Sequence, residues 1–322
     1  MIRSTALTVA LLAVLAPPAA GSGGPVAGSD AGPAGVTGRD IAARFIAQPV
    51  RGGTLVNAVE RRGGKIVAAR FLRDTLIVPA VALDGSSTGL SGDGTTLVLA
   101  APRDFSAHPR SRFTILDAPT LRSRTRVSLR GDFTLDAISP DGNRLYLIES
   151  QSRDGTRYAV RAYDVAARRL LPDPIVDPAE ADEPMRGSPV SRAMSPDGRW
   201  AYTLYDGARG AHPFIHALDT QRGRAKCIDL DDLSQQDTYP MVLRVGRDGV
   251  VHVRPAGGGA SVLTVDPRSF AVREPRDPAR PAPAAATGHG WVAPAIGAAI
   301  LALLAALAMR AGGALRQTRS SS

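Results

Sequence analysis

Short apolar runs, rather than long amphipathic stretches, organise the middle of this 322-residue chain. Four such runs each follow a tight-turn tetrapeptide of the form Ser-x-Asp-Gly or Gly-x-Asp-Gly. The turn aspartates are Asp93, Asp141, Asp197 and Asp248, which lie 48, 56 and 51 residues apart. The run Leu145 to Ile148 is apolar at every position, which indicates a strand buried on both faces. A repeat of this period predicts one supersecondary unit per repeat.

The tetrapeptide itself predicts a turn. In the sequence that begins at Ser139, Pro140 fixes φ at i+1 and Gly142 occupies i+3, as a type I turn between antiparallel strands prefers. A second aspartate ends a later strand of each repeat and can accept hydrogen bonds within its own turn. These residues are Asp117, Asp164, Asp219 and Asp266. Strand, turn, strand, hairpin and strand at this period predict a propeller blade.

At these repeats the sequence resembles the WD40-like repeats of bacterial extracytoplasmic β-propellers, the TolB-like and YVTN-type group. The resemblance spans residues 88–274 and implies an all-β propeller. Residues 40–87 have room for one more blade, with strands predicted at 54–60, 65–72 and 75–83 and a hairpin at 61–64. We therefore expect about five four-stranded blades over residues 40–274, and an N-terminal strand could complete the last blade.

The N-terminal end predicts export. Residues 1–23 place Arg3 before an apolar run and then small residues, which is the order of a secretory signal peptide. The following residues 24–39 are rich in glycine and proline and predict a flexible linker.

The C-terminal end predicts a membrane anchor. Residues 291–309 carry no charge and are long enough for one transmembrane helix. Three arginines lie in the short tail at 310–322, as the positive-inside rule requires of a cytoplasmic tail. A Pro/Ala-rich stalk at 275–290 connects the helix to the propeller. The expected location is the cell membrane, single-pass, with an extracytoplasmic N-terminal domain.

A second attachment is also open. The sequence Ala284-Ala-Ala-Thr-Gly288 stands just before the helix and resembles a sortase sorting signal of the Leu-Ala-x-Thr-Gly kind, with alanine in place of the leucine. The resemblance implies that Thr287 and Gly288 form a processing site and that the protein is attached to the cell wall.

Charge and cysteine content exclude several classes of function. The net charge is +9, but Arg3 and the three tail arginines belong to the targeting segments. Without them 35 basic residues face 30 acidic ones, and no basic cluster with interleaved aromatic residues indicates a nucleic-acid partner. A single cysteine, Cys227, excludes an internal disulfide framework and a cysteine-rich zinc site.

Three charged residues are candidates for ligand binding. Asp136, Arg192 and Arg244 stand shortly before turns in their repeats, where the other repeats carry mostly small or apolar residues. If these positions face the propeller axis, the three side chains line the entrance of the central channel. An ordinary ion pair or a solvated rim is the alternative interpretation.

Other polar residues give no predicted site. His212 and His216 would be roughly 13 Å apart on a strand, too far for one metal ion. Cys227 has no evident partner, and the acidic segments 177–183 and 229–237 are interpreted as solvated loops. No catalytic residue, metal or cofactor is therefore predicted.

The function expected is that of a non-enzymatic binding or scaffolding module for an envelope protein, a peptide or a cell-wall component. The alternative is a propeller enzyme of the lactonase or hydrolase type with its site at the channel entrance. Metal or catalytic chemistry there would need several carboxylates or histidines to converge, whereas the candidate positions supply one carboxylate.

Overall fold

The computed structural model describes residues 35–38, 41–152, 157–181, 183, 185–207, 212–234 and 236–274. These residues form 19 β-strands and two short 3-10 helices, so the predicted all-β class is confirmed. None of the helices among them is long and apolar enough to cross a membrane. The predicted signal peptide, stalk, transmembrane helix and tail, together with Thr287 and Gly288, lie outside the described residues.

Five antiparallel sheets follow one another along the described chain, and each consists mainly of consecutive strands. Sheet 1 contains β1 (Ala43–Val50), β2 (Gly53–Glu60) and β3 (Ile66–Leu72), and sheet 2 contains β4 (Thr96–Ala100), β5 (Arg110–Asp117) and β6 (Ser123–Arg130). Sheet 3 contains β7 (Phe133–Ile138), β8 (Arg144–Ser150), β9 (Arg157–Asp164), β10 (Arg169–Leu170) and β11 (Met185–Arg186). Sheet 4 contains β12 (Pro189–Met194), β13 (Trp200–Tyr205), β14 (Phe214–Asp219) and β15 (Arg224–Asp229). Sheet 5 contains β16 (Met241–Val245), β17 (Val251–Pro255), β18 (Leu263–Val265) and β19 (Val272–Arg273).

The four predicted turns are present, and the three that begin with serine share one side-chain hydrogen-bond pattern. The Ser139 hydroxyl donates to the Asp141 carboxylate at 2.6 Å, and the backbone N–H of Arg144 donates to the same hydroxyl at 2.9 Å. The turns that begin at Ser91 and Ser195 repeat both bonds. The fourth turn has Gly246 in place of the serine. Like the other three turns, it has a backbone hydrogen bond from the N–H of its glycine, here Gly249, to the carbonyl of its first residue. The local sequence therefore specifies these turns.

The first unit differs from its prediction in two places. The hairpin at 61–64 joins β2 and β3 as expected, but residues 75–83 form isolated bridges instead of a strand. Val36, inside the predicted linker, pairs with Phe45 of β1 and is buried. Within the described residues no N-terminal strand joins sheet 5, which has four strands of its own.

A short hairpin at residues 79–88 links sheets that are distant in the chain. The N–H of Thr88 donates to the carbonyl of Pro79, and at its tip the N–H of Asp84 donates to the carbonyl of Val190 in β12. The Asp84 carboxylate also accepts a 2.6 Å hydrogen bond from Ser191. The tip therefore ties the segment between sheets 1 and 2 to sheet 4.

Sheet 4 is buried on both faces. One face packs Tyr202, Leu204 and Ile215 into a cluster that includes Leu243 and Val253 of sheet 5. The other face packs Ala201, Leu218 and Ala225 against Tyr146, Val160 and Ile175 of the third unit. This second face also carries the polar residues that form the candidate site.

Candidate functional site

The candidate residues Asp136 and Arg192 meet in the interior. Arg192 donates through Nη2 to the Asp136 carboxylate, through Nη1 to the Asp136 carbonyl at 2.9 Å, and through Nε to Thr203 at 2.7 Å. The side chain of Asp136 is 2% exposed and that of Arg192 is 4% exposed. Asp136 is the extra residue of a bulge in β7, between Leu135 and Ala137, and bulges commonly redirect a side chain. The two buried charges therefore neutralise each other.

Arg244 lies apart from this pair. It is exposed on β16, and its guanidinium donates to the carbonyl of Leu243 at 2.9 Å. Arg192 also lines a cavity of about 350 Å³ beside the turns that begin at Ser91 and Ser195. The structure thus brings together two of the three candidate residues, and a ligand-binding role for them stays a prediction.

A row of polar residues crosses sheet 4 from Arg192 to the outer strand. Arg192 is directly paired with Thr203, Thr203 with His216, and His216 with Cys227. Directly opposite residues of antiparallel neighbours project from the same face. These four side chains, called here the polar row, therefore lie on the face that packs against sheet 3.

His216 is the unsatisfied member of the polar row. Its side chain is buried, and its Nε2 atom has no hydrogen-bond partner. Burial lowers the pKa of His216 to about 4, with Asp136 and Asp177 opposing the effect and Arg192 adding to it. The imidazole is therefore neutral at physiological pH.

The acidic loop before β11 folds back onto β15. Asp177 begins the 3-10 helix Pro178–Glu180 and accepts a hydrogen bond from the N–H of Ala179 at 3.0 Å. Its other oxygen accepts from the ammonium of Lys226 at 2.8 Å and the N–H of Cys227 at 3.0 Å. Burial raises the pKa of Asp177, but these hydrogen bonds outweigh it and leave the pKa below its ordinary value. The prediction of a solvated loop is wrong for Asp177, which is 5% exposed.

Both acidic segments line one cavity of about 470 Å³ between sheets 3 and 4. We call it the inter-sheet cavity, and its walls combine carboxylates, two histidines, the thiol and apolar side chains. The lining residues are Val176, Asp177, Glu180, Glu183, Met185, Arg186, His212, Phe214, His216, Cys227, Asp229 and Asp231. The exposed carboxylates of Glu183, Asp229 and Asp231 form its rim.

Three potential ligand groups converge at the inner end of the inter-sheet cavity. One carboxylate oxygen each of Asp177 and Glu180 and the sulfur of Cys227 lie within 4.8 Å of one another. Burial raises the pKa of the Cys227 thiol, and Glu180 and Asp177 raise it further, so the sulfur carries its proton at neutral pH. The group can donate a hydrogen bond or, once deprotonated, bind a soft metal ion.

An aromatic stack reaches the inter-sheet cavity through Phe214. Tyr158 of sheet 3 stacks on Tyr205 with ring centroids 5.5 Å apart, and Tyr205 stacks on Phe214 at 5.0 Å. Phe214 contributes to the lining with Met185. Rigid apolar walls beside a few polar groups are typical of ligand cavities.

Sequence reasoning missed this arrangement because it tested each residue separately. The prediction excluded His212 and His216 as a metal pair along one strand and found no partner for Cys227. His216 and Cys227 are instead neighbours across two strands, and His212 precedes β14. The pairing of β14 with β15 around the turn after Asp219 was the signal that could have joined them.

No protein-family model matches the sequence, and comparison with curated proteins gives no match. Among solved structures, the chain is similar to TolB from Acinetobacter baumannii, with 16% identity, a TM-score of 0.39 and coverage of 72% of this chain and 51% of that one. It is similar to Kuenenia stuttgartiensis hydrazine synthase, with 17% identity, a TM-score of 0.38 and coverage of 68% and 72%. It is also similar to the Dos1 propeller, with 12% identity, a TM-score of 0.41 and coverage of 72% and 56%. The chain thus spans about half the length of the TolB that it resembles. The chemistry of the site has to be derived from its own residues.

Proposed function

We propose that this protein is an extracytoplasmic β-propeller of five blades, retained at the cell membrane, that acts as a non-enzymatic binding module. Its ligand is a basic segment of an envelope protein or peptide, and its ligand site is the inter-sheet cavity. The observation that carries the proposal is the charge of the lining, where five carboxylates face one arginine, Arg186, and, among the described residues, only one of the five, Asp177, is paired with a lysine, Lys226. Five successive antiparallel sheets support the blade count.

The size and walls of the inter-sheet cavity suit a lysine or arginine side chain. A volume of about 470 Å³ lies within the range of roughly 300–1,000 Å³ that is common for ligand sites. Met185 and Phe214 provide apolar surface for the aliphatic stem, and the carboxylates attract the cationic head. One site can therefore recognise both parts of a basic side chain.

The charge of the surrounding protein adds selectivity. Outside the targeting segments the chain is net basic, with 35 basic and 30 acidic residues. An acidic cavity in a basic protein directs a cationic ligand to that cavity, because the rest of the surface repels it. We therefore expect association to weaken as salt screens these charges.

The charged pair at the other end of the polar row supports this choice of site. Asp136 and Arg192 satisfy each other and Thr203 in a buried position, so neither charge is left for a ligand. The rim carboxylates of the inter-sheet cavity are exposed and free to meet a partner from solvent. For this reason we favour the inter-sheet cavity over the channel entrance.

Membrane retention by residues 291–309 is part of the proposal and rests on the sequence. Fractionation of cells that produce the native protein would find it in the membrane, extractable only with detergent. The C-terminal peptide of the isolated protein would extend beyond residue 309. A chain ending at Thr287 and linked to the wall would replace this proposal with sortase attachment.

The ligand proposal is tested with the full chain in detergent and fluorescent peptides rich in Arg and Lys. The probe variant combines Glu183→Gln, Asp229→Asn and Asp231→Asn at the rim, with chelator present throughout. The matched control is Asp232→Asn, since Asp232 is exposed beside Asp231 but does not line the inter-sheet cavity. We expect the native protein and the control to bind basic peptides in a salt-dependent manner.

The rim variant should lose at least about tenfold in affinity, because three charges that face the ligand are removed. Acidic peptides should bind none of the proteins. Equal affinity of the native protein and the rim variant for basic peptides, or no binding of basic peptides at all, would contradict the proposal.

A further inference from the structure

We propose that Asp177, Glu180, Cys227 and His216 form a binding site for a thiophilic divalent metal ion of the Zn²⁺ class at the inner end of the inter-sheet cavity. The site uses two buried donors, Asp177 and His216, and two half-buried donors, Glu180 and Cys227, and it leaves the rim carboxylates free. It therefore goes beyond the proposed function, and does not depend on which ligand enters from solvent.

The first observation is the convergence of donors. One oxygen each of Asp177 and Glu180 and the sulfur of Cys227 lie within 4.8 Å of one another. Donors around a tetrahedral zinc ion, at bond lengths of about 2.0–2.3 Å, are separated by roughly 3.5 Å. The three groups therefore need to close by roughly 1 Å, which side-chain rotation on the acidic loop can supply.

The second, independent observation is the unpaired nitrogen of His216. The side chain is 2% exposed, lines the same cavity, and its Nε2 atom has no partner. It stands directly opposite Cys227 on the neighbouring strand, so the two Cβ atoms are about 5 Å apart. Buried polar atoms without partners are uncommon in folded proteins. A bond to a metal ion satisfies this atom when the ring proton is on Nδ1.

The types of donor select the class of ion. Calcium and magnesium are bound by oxygen atoms, whereas a thiolate with an imidazole selects zinc and related transition metals. The Cys227 thiol therefore releases its proton to solvent as the sulfur–metal bond forms. The His216 ring lies outside the 4.8 Å group and has to turn towards it for one sulfur, one imidazole nitrogen and two carboxylates to complete four-coordination. The chemistry of this cluster thus differs from that of an ordinary acidic surface patch.

The ammonium of Lys226 competes with a metal ion for the Asp177 carboxylate. Its ammonium donates to the Asp177 carboxylate at 2.8 Å, and its side chain is 40% exposed. When the ion binds, this ammonium can turn outward into solvent. Replacement of Lys226 by an uncharged residue should therefore strengthen metal binding, an effect opposite to that of removing a donor.

The test is a titration of the full chain in detergent with Co²⁺ and with Zn²⁺ in competition. Co²⁺ bound to a thiolate gives a sulfur-to-metal charge-transfer absorption that carboxylates alone do not produce. We expect one equivalent of Co²⁺ to produce this band and one equivalent of Zn²⁺ to abolish it. Cys227→Ser should remove the band, and His216→Gln should weaken Zn²⁺ binding at least about tenfold.

The control is Asp232→Asn, which changes an exposed carboxylate outside the inter-sheet cavity and should leave Zn²⁺ affinity unchanged. Lys226→Met tests the site without removing a donor and should raise the affinity. The proposal is overturned if the folded native protein gives no thiolate band, or if Cys227→Ser and His216→Gln bind Zn²⁺ as the native protein does. Basic-peptide binding measured in chelator is a separate readout, so failure of either proposal is recognised independently.

Discussion

The two ends of the polar row on sheet 4 differ in how their polar atoms are satisfied. At the β12 end of the row, Arg192 bonds to the Asp136 carboxylate and to Thr203, and both charges are buried. At the other end, on β14 and β15, His216 has an unpaired nitrogen, and the sulfur of Cys227 lies within 4.8 Å of two carboxylates. Because native proteins satisfy nearly all of their buried polar atoms, the first end has the character of a structural element and the second that of a ligand site.

The largest loss of stability should come from breaking the buried pair of Asp136 and Arg192. Asp136→Ala leaves the Arg192 guanidinium buried without its counter-charge, and removal of one partner of a buried pair costs about 3–5 kcal/mol. Urea unfolding of the variant should show a loss of this size in the free energy of unfolding.

The matched control for this prediction is the exposed pair of Arg126 and Asp74, whose side chains are 68% and 49% exposed at 3.2 Å. Asp74→Ala should cost less than about 1 kcal/mol. Similar losses in the free energy of unfolding for Asp136→Ala and Asp74→Ala would contradict the structural role assigned to the pair of Asp136 and Arg192.

A smaller effect should appear at His216 as pH falls. Its pKa is about 4 in the folded protein and 6.5 in the unfolded chain, so the unfolded state binds the proton first. Stability is complete above pH 6.5 and falls between 6.5 and 4, by up to about 3 kcal/mol. His216→Gln in chelator should therefore lose less stability across this window than the native protein does.

The measurement that checks this prediction is the free energy of unfolding as a function of pH, compared between the native protein and His216→Gln. Carboxylates that titrate at lower pH are common to both proteins, so their contribution cancels in the comparison. Parallel profiles between pH 6.5 and 4 would show that His216 is not buried in its neutral form.

The smallest effect on stability should come from the rim. Asp231 is 79% exposed, and its carboxylate lies 3.6 Å from Nδ1 of His212, which is 59% exposed. Asp231→Asn should change the free energy of unfolding by less than about 0.5 kcal/mol. It should nevertheless reduce the affinity for basic peptides, whereas a loss of stability above about 1 kcal/mol would place this carboxylate with the structural residues.

Much of the fold could be predicted from the sequence because its signals are local. A tetrapeptide such as that beginning at Ser139 contains the residues that form its own turn and the hydroxyl that braces it. The second aspartates behave similarly, since Asp117 and Asp266 accept hydrogen bonds from their own turns. The hydrogen bonds from Thr120 and Ser269 lower the pKa of Asp117 and Asp266, respectively.

The candidate site could not be predicted because its signals are non-local. Asp177 and Cys227 are 50 residues apart, and their contact depends on how the loop after β10 returns across β15. The repeat pattern does not indicate the bulge at Asp136 either, although this bulge helps determine which side chain meets Arg192. The strand predicted at 75–83 failed for a related reason, since the residues from Pro79 onward form a hairpin whose tip bonds to Val190 in β12.

The central claim is that the inter-sheet cavity receives the ligand, and the single cysteine of the chain reports on this cavity directly. The rate at which Cys227 is alkylated by a maleimide can be measured in the native full chain in chelator and at alkaline pH, where more of the thiol is ionised, with and without a saturating basic peptide. The account predicts that the basic peptide slows alkylation, that an acidic peptide of equal length does not, and that the rim variant is not protected. The same alkylation rate with and without bound basic peptide would contradict the account.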